Sequence, residues 1–375
     1  MSCYLDNAAT TPLSSEMKEY LISVLDVFGN LSSAHSEGIK AKRLVEDVRE
    51  KIAKFIKADC FENIYFTSSG SASNTLGIQG YTLANKCNIF YSPTTHKSIL
   101  KTIDNLESLY NVNTIELKTD QYGNIDIEYL YRVFKAAKGD TLVVVEYANS
   151  EIGTVQNIKV ISDIVHKHSG KLFVDCTGSI SAIPLDVVSL NIDIAAFSAH
   201  KIGALKGVGV LYKKTDIAMI PLVFGNQEQG LFGGTENVLG ILSLGKAIDL
   251  MDYNKTPYNR DFVWGNIKNI DGVSLVGSPL DSRLINNLYV HIKGVRGSDI
   301  VALMDDIYKI QISTGSACNN GSPTPSSTAL AIGLSEEDAN SCVRISFGGN
   351  ETEDELKEFC KSFSTCIKML RDLND

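Results

Sequence analysis

Two residues near the middle of this 375-residue chain raise a chemical question. Lys201 sits in "AFSAHKIG", directly after the apolar run "DIAAF" and with His200 at its shoulder. A lysine at the end of a buried strand is either a salt-bridged structural residue or an amine kept for chemistry. Asp175 closes a second apolar run, "KLFVD", 26 residues earlier. That spacing fits one strand–helix–strand unit of a parallel sheet, which brings both groups to the same edge. On these two residues alone a structural Asp–Lys ion pair is the better account, since such pairs are common.

A third element favours chemistry. "TSSGSAS", residues 67 to 73, follows the strand-like "NIYF" and opens a helix. Gly70 permits close backbone approach, and Ser69, Ser71 and Ser73 offer hydroxyls beside free helix N–H groups, a phosphate cradle. A Ser/Gly turn taken alone is more often a helix cap. An aspartate for a pyridinium nitrogen, a lysine for a Schiff base and a phosphate cradle, at successive strand ends, are together what pyridoxal phosphate requires. Cys318 is a further candidate. Its surroundings, "STGSACNNGSPTPSS", have the composition of a mobile surface loop, where a thiol is accessible for reaction rather than packed in a core. The plainer alternative is an idle loop cysteine.

The elements that must position these groups can be read from periodicity. From about residue 40 to 215, helical patterns alternate with short apolar runs. "AKRLVEDVREKIAKFI" has helical spacing, and "CNIFYSP", "TLVVVEYAN", "KLFVDCTG", "DIAAFSAH" and "GVGVLYK" read as strands. "ISDIVHKHSG" reads as a helix stopped by Gly170. Such alternation predicts an α/β fold, a mostly parallel sheet with helices on both faces, and ligands beyond the carboxyl ends of its strands. After about residue 250 the pattern changes. "NNLYVHIKG" and "VRISFGG" alternate as strands, while "SEEDANSCV" and "TEDELKEFCKSFSTCIKML" carry capping-box signatures, predicting a smaller α+β domain.

Bulk properties exclude several classes. The chain is 44% apolar and 21% charged, ordinary globular values. A formal charge of −9 disfavours direct binding to nucleic acid or to an anionic membrane. No apolar stretch approaches the roughly 20 residues of a membrane span, and "MSCYLDNAATTP" shows no secretory signal. Eight scattered cysteines without a CxxC pair argue against a metal site or disulfide framework and for a reducing cytoplasm.

With these motifs in place, the chain resembles the cysteine desulfurases of the class V aminotransferase group, within the fold-type I pyridoxal-phosphate-dependent transferases. The resemblance runs almost end to end: "YLDNAATTP", "FGNLSSAHSEG", "IYFTSSGSASN", "THKSIL", "NSEIGTVQ", "VDCTGS", "FSAHKIGALKGVGVLY", "GNQEQGLFGGTEN", "STGSAC" and "VRISFG". It implies an N-terminal arm over 1–15 joining the small domain, a large cofactor-binding domain over 16–250, and a small domain over 251–375 that carries the catalytic cysteine loop. It implies pyridoxal 5'-phosphate held on Lys201, with Gly70, Ser71, Ser198 and His200 at its phosphate. Asp175 would face the pyridine nitrogen, and His96 would stack on the ring and move protons. Thr235 would reach the phosphate of a second subunit, hence a homodimer. Arg344, with Asn7, would bind the carboxylate of L-cysteine, and Cys318 would take its sulfur as a persulfide for an acceptor protein, releasing alanine.

Four positions depart from the family pattern. Ser150 replaces an asparagine near the ring, Gly178 a glutamine that donates to the ring hydroxyl, Phe232 an arginine and Ala72 a glutamate. A different pyridoxal-phosphate reaction (a C–S lyase or an aminotransferase) would keep Lys201 and Asp175 without needing Cys318. A scaffold with a decayed site, active only with a partner if at all, is the non-enzyme alternative.

Overall fold

The computed structural model describes residues 3–253, 257–315 and 324–374. The described residues contain twelve strands: β1 Cys3–Tyr4, β2 Ile64–Thr67, β3 Asn88–Tyr91, β4 Thr114–Glu116, β5 Thr141–Glu146, β6 Lys171–Asp175, β7 Ile194–Ser198, β8 Gly209–Lys213, β9 Val273–Leu275, β10 Asn287–Ile292, β11 Ile310–Gln311 and β12 Cys342–Ser346. Seven of them form one sheet in the order β2-β8-β7-β6-β5-β3-β4. All neighbours in it are parallel except β8, which runs against both β2 and β7.

Alternation along these strands divides the sheet into two buried faces. Val143, Val145, Leu172, Val174, Ala195 and Phe197 pack into the core that includes the helix Ser36–Phe55. Leu142, Val144, Phe173, Ile194 and Ala196 pack into the opposite core, with the helix Lys97–Tyr110. Because side chains alternate with period two, Glu146, Asp175 and Ser198, the last residues of β5, β6 and β7, belong to that second face. Burial of both faces explains why these strands read as nearly continuous apolar runs.

Several local details differ from the sequence expectations. The 18 residues joining β6 to β7 contain turns and no helix, so Asp175 and Lys201 share an edge without a strand–helix–strand unit. The strands are still parallel, which is what aligns their ends. The helix Ile158–Lys167 ends before Gly170; the left-handed residue is Ser169, at φ 59°. Gly170 instead lies against Phe134, whose ring would be 3.0 Å from an added Cβ.

A second, three-stranded antiparallel sheet, β12-β10-β9, packs Leu288, Val290, Ile292, Val343, Ile345 and Phe347 against the helix Glu353–Asn374. Thr352 opens that helix with a reciprocal cap: its hydroxyl accepts from the Glu355 N–H at 3.3 Å, and Glu355 Oε2 accepts from the Thr352 N–H at 2.8 Å. Ser335 caps the helix Glu336–Asn340: its hydroxyl accepts from the Asp338 N–H at 3.1 Å and donates to Asp338 Oδ2 at 2.7 Å. The N-terminal strand β1 pairs with β11, and the residues after it cross towards the large sheet. No helix among the described residues is long and apolar enough to cross a membrane.

Candidate active site

The ends of β5, β6 and β7 open into a cavity of about 420 Å³. Its wall includes Gly70, Ser71, His96, Ser150, Asp175, Ser198, His200 and Lys201. A smaller cavity, about 260 Å³, adjoins it and shares His96, Glu146, Ser150 and Lys201, adding Arg344 from the small sheet. Residues far apart in sequence thus meet because parallel strands finish on one edge and β12 faces that edge.

Lys201 lies in the tight turn Ala199–Ile202 after β7, closed by Gly203 at φ 82°. Its ammonium donates to the Ala8 carbonyl and, at 3.1 Å, to the Ala9 carbonyl. Burial and then the Arg344 charge push its pKa down to about 8, against opposing pulls from Asp6 and Asp175. A useful fraction of the amine is therefore neutral, and nucleophilic, near physiological pH. Asp175 is buried and well served: Oδ2 accepts from Asn74 Nδ2 at 2.8 Å, and Oδ1 accepts from the Thr177 N–H at 2.8 Å. This anchoring fixes a carboxylate at the cavity floor.

Gly70 and Ser71 begin the helix Gly70–Thr75, whose cap is Ser69, accepting from the Ala72 N–H at 3.1 Å. Of the three serines considered for a cradle, Ser73 is turned inward, its hydroxyl bonded to Thr67 Oγ1 at 2.7 Å. The approach at Gly70 is close: an added Cβ would stand 3.0 Å from Ser198 Cβ and 3.5 Å from Thr177 Oγ1. Burial, with Lys201 and Lys206 nearby, pushes His200 down to about 4, so its ring is neutral at pH 7 and its Nδ1 pairs with the Thr10 hydroxyl at 3.1 Å. His96 caps the helix Lys97–Tyr110, Nδ1 accepting from the Ser98 N–H at 3.1 Å. Desolvation holds His96 below the usual imidazole range; Asp175 opposes this, and Lys201 and Lys97 add to it.

Arg344 is buried, with Nη2 donating to Asp6 at 2.7 Å and Nε without a partner among the described residues. Asn7 does not line either of these cavities. It faces a neighbouring one behind Lys201, and its Nδ2 is spent on the carbonyls of Tyr4 and Ser346. Thr235 is exposed and away from the cavity wall of its own chain. Cys318 lies outside the described residues.

Sequence reasoning passed over Asn74, Thr177 and Glu146. Asn74 and Thr177 are the donors to Asp175, and the Thr177 hydroxyl is buried beside the cavity with no partner among the described residues. Glu146 could have been noticed as an acid closing the run "LVVV". The departures also acquire a physical context. Gly178 leaves no hole to refill, because a Cβ there would sit 2.5 Å from the Ala148 carbonyl oxygen. Phe232 is partly buried against the second core.

The large sheet, its antiparallel β8 and the separate small sheet are the architecture of the class V aminotransferases. A sequence model of that family, described as aminotransferase class-V, matches residues 3–359, and the chain belongs to it. It is 35% identical to a cysteine desulfurase IscS of Dictyoglomus turgidum, over 99% of this chain and 96% of that protein. It is 32% identical to cysteine desulfurase IscS 1 of Archaeoglobus fulgidus, over 99% and 98%. Among solved structures, a NifS-like protein superposes with a TM-score of 0.90 at 30% identity, covering 99% of this chain and all of that one. SspA in complex with cysteine superposes at 0.80 and 30% identity, covering 94% of this chain and all of the other.

Proposed function

We propose that the protein is a pyridoxal-phosphate-dependent cysteine desulfurase, which removes sulfur from L-cysteine, releases L-alanine and holds the sulfur as a persulfide on Cys318. The observation that carries this reading is the meeting of Lys201, Asp175 and Arg344 around two adjoining cavities, in a chain whose curated relatives of matching length are cysteine desulfurases. The unpartnered Thr177 hydroxyl and the tight approach at Gly70 fit a phosphate, the anchored Asp175 fits a pyridinium nitrogen, and the partly neutral Lys201 fits an aldehyde. Lys201 would hold the cofactor covalently, with Gly70, Ser71, Ser198 and the neutral His200 at its phosphate and His96 and Ser150 beside the ring. When bound, the cofactor supplies an electron sink that stabilises negative charge on the substrate α-carbon.

The chain's own residues do the rest. Arg344 binds the α-carboxylate of L-cysteine and fixes its orientation, a task suited to the planar guanidinium. The substrate amine would take the place of Lys201 on the cofactor, and Lys201 Nζ, released as a free amine, would take the α-proton. His96, uncharged at neutral pH, accepts and returns protons at the cavity mouth. The Cys318 thiolate attacks the substrate sulfur; the new S–S bond forms as the substrate C–S bond breaks, and protonation of the carbon skeleton yields alanine. Transfer of the outer sulfur to an acceptor protein completes the cycle. A homodimer would supply Thr235 of each chain, exposed on its own subunit, to the other's phosphate. Light scattering returning the mass of one chain would remove that part. The described cysteines are all free, which suits a reducing, cytoplasmic setting.

The test is product analysis with L-cysteine and a reductant. The wild type should form alanine and sulfide in equal amounts, and Cys318→Ala should lose alanine formation by at least ~100-fold, the scale of removing a covalent nucleophile. Undiminished sulfide accompanied by pyruvate in that variant would replace this reading with a C–S lyase.

A further inference from the structure

Glu146 closes β5 and has no part in the mechanism above. Strand alternation puts it on the same face as Asp175, and the parallel register sets the two directly opposite each other on adjacent strands, about 4.8 Å apart. Both line the larger cavity, and Glu146 alone of the pair also lines the smaller one. The protein serves the two carboxyls differently. Asp175 receives two strong donors, Asn74 Nδ2 and the Thr177 N–H. Glu146 receives only neutral side-chain donors: Asn149 Nδ2, at 2.7 Å from Oε1, and the Thr94 hydroxyl, whose oxygen is shared with Ser92 Oγ at 3.0 Å.

Two negative charges side by side in a buried wall repel, so the better-served group keeps its charge and the other keeps a proton. The smaller cavity's wall also carries the cations Lys97, Lys201 and Arg344, which favour a charge on Glu146, but the charged groups that act on it most strongly disfavour one. Asp175 on β6 and Glu151 in the loop after β5 both oppose its ionisation, and His96 is held in its neutral form. Lys201, beyond β7, is bound to the Ala8 and Ala9 carbonyls. Desolvation above all, with Asp175, pushes Glu146 up to about 8.

We infer that Glu146 and Asp175 form an asymmetric carboxyl pair in which Asp175 carries the charge, while Glu146 retains a proton and offers it as a hydrogen-bond donor to the aromatic cofactor. This rests on the reading that pyridoxal phosphate fills the cavity. Glu146 is then a positioning residue that tunes the electronic state of the ring, and it stops donating once pH rises above its own pKa.

Two measurements test it. In infrared spectra of the cofactor-free chain, the neutral-carboxyl C=O band at pH 7 should lose intensity in Glu146→Gln, and the wild-type excess should vanish as pH rises through about 8. Any band from Glu151 stays in both, and Lys201, which titrates in the same range, has no carboxyl signal. In the chain loaded with pyridoxal phosphate, the visible spectrum of the wild type should shift over that pH range. Glu146→Gln, which keeps a donor and cannot ionise, should hold the low-pH spectrum throughout. Glu146→Leu should shift the spectrum at every pH and weaken cofactor binding roughly tenfold, the loss of about one hydrogen bond. Equal infrared bands in wild type and Glu146→Gln, or identical spectral titrations, overturn the pair. A chain that takes up no pyridoxal phosphate overturns the functional reading and the donor role with it, whereas one that binds it with unaltered titrations overturns the pair alone.

Discussion

The seven-stranded sheet and the three-stranded sheet both deliver charged groups to the same cavities, and they prepare them in opposite ways. On the large sheet, burial alters the groups themselves: Lys201 is pushed down to about 8, His200 down to about 4 and Glu146 up to about 8. Their partners are mostly neutral amides, hydroxyls and carbonyls. The small sheet contributes Arg344, which arrives with its own counter-ion, Asp6, and with one buried N–H that no described residue uses. The first arrangement suits a resident group that is bound once and kept. The second suits a visitor, because an incoming carboxylate can take up the idle N–H and share the guanidinium with Asp6 without meeting a naked buried charge.

Two variants sharpen this contrast. Arg344→Lys keeps a cation near Asp6 and loses the planar fork. It should lower kcat/KM for L-cysteine by about 10–100-fold, mostly through KM, the scale of losing a charge-assisted hydrogen bond worth roughly 1.5–3 kcal/mol. Cofactor content should be unchanged, and a parallel loss of cofactor would dissolve the division between the two regions. On the large-sheet side, Gly178→Gln puts back the side chain the family usually carries. Here the Ala148 carbonyl occupies that space, so the substitution should cost about 1–3 kcal/mol of stability by overpacking and weaken cofactor retention, seen as a lower Tm and faster release. Tighter retention would show that the cavity wall accommodates the longer side chain after all.

Much of the large sheet was legible because strands buried on both faces must be apolar throughout, and "TLVVVE", "KLFVD" and "IAAFS" are so. Lys201, Asp175 and Gly70 stood out for a related reason: each breaks an apolar or helical pattern at a strand's end. What stayed hidden depends on register and on through-space neighbours. The pairing of Glu146 with Asp175 follows from how β5 aligns on β6, which neither run specifies by itself. Asn74 matters because its helix packs on β7 and β8, beside the end of β6, and Ser73 turns away because Thr67 offers it a partner. The expected helix between β6 and β7 is missing because a parallel crossover needs enough chain, and turns supplied it here. Gly178 read as a lost donor, whereas its neighbourhood has closed over the position.

The claim on which everything else depends concerns the amine of Lys201. The protein should be reconstituted with pyridoxal phosphate, reduced with borohydride, digested and weighed peptide by peptide. The account predicts the reduced cofactor on the peptide containing Lys201, with attachment at limiting cofactor rising as pH increases through about 8 and the neutral amine becomes more abundant. A Lys201 peptide of unmodified mass, or the adduct on the neighbouring Lys206 instead, would contradict it.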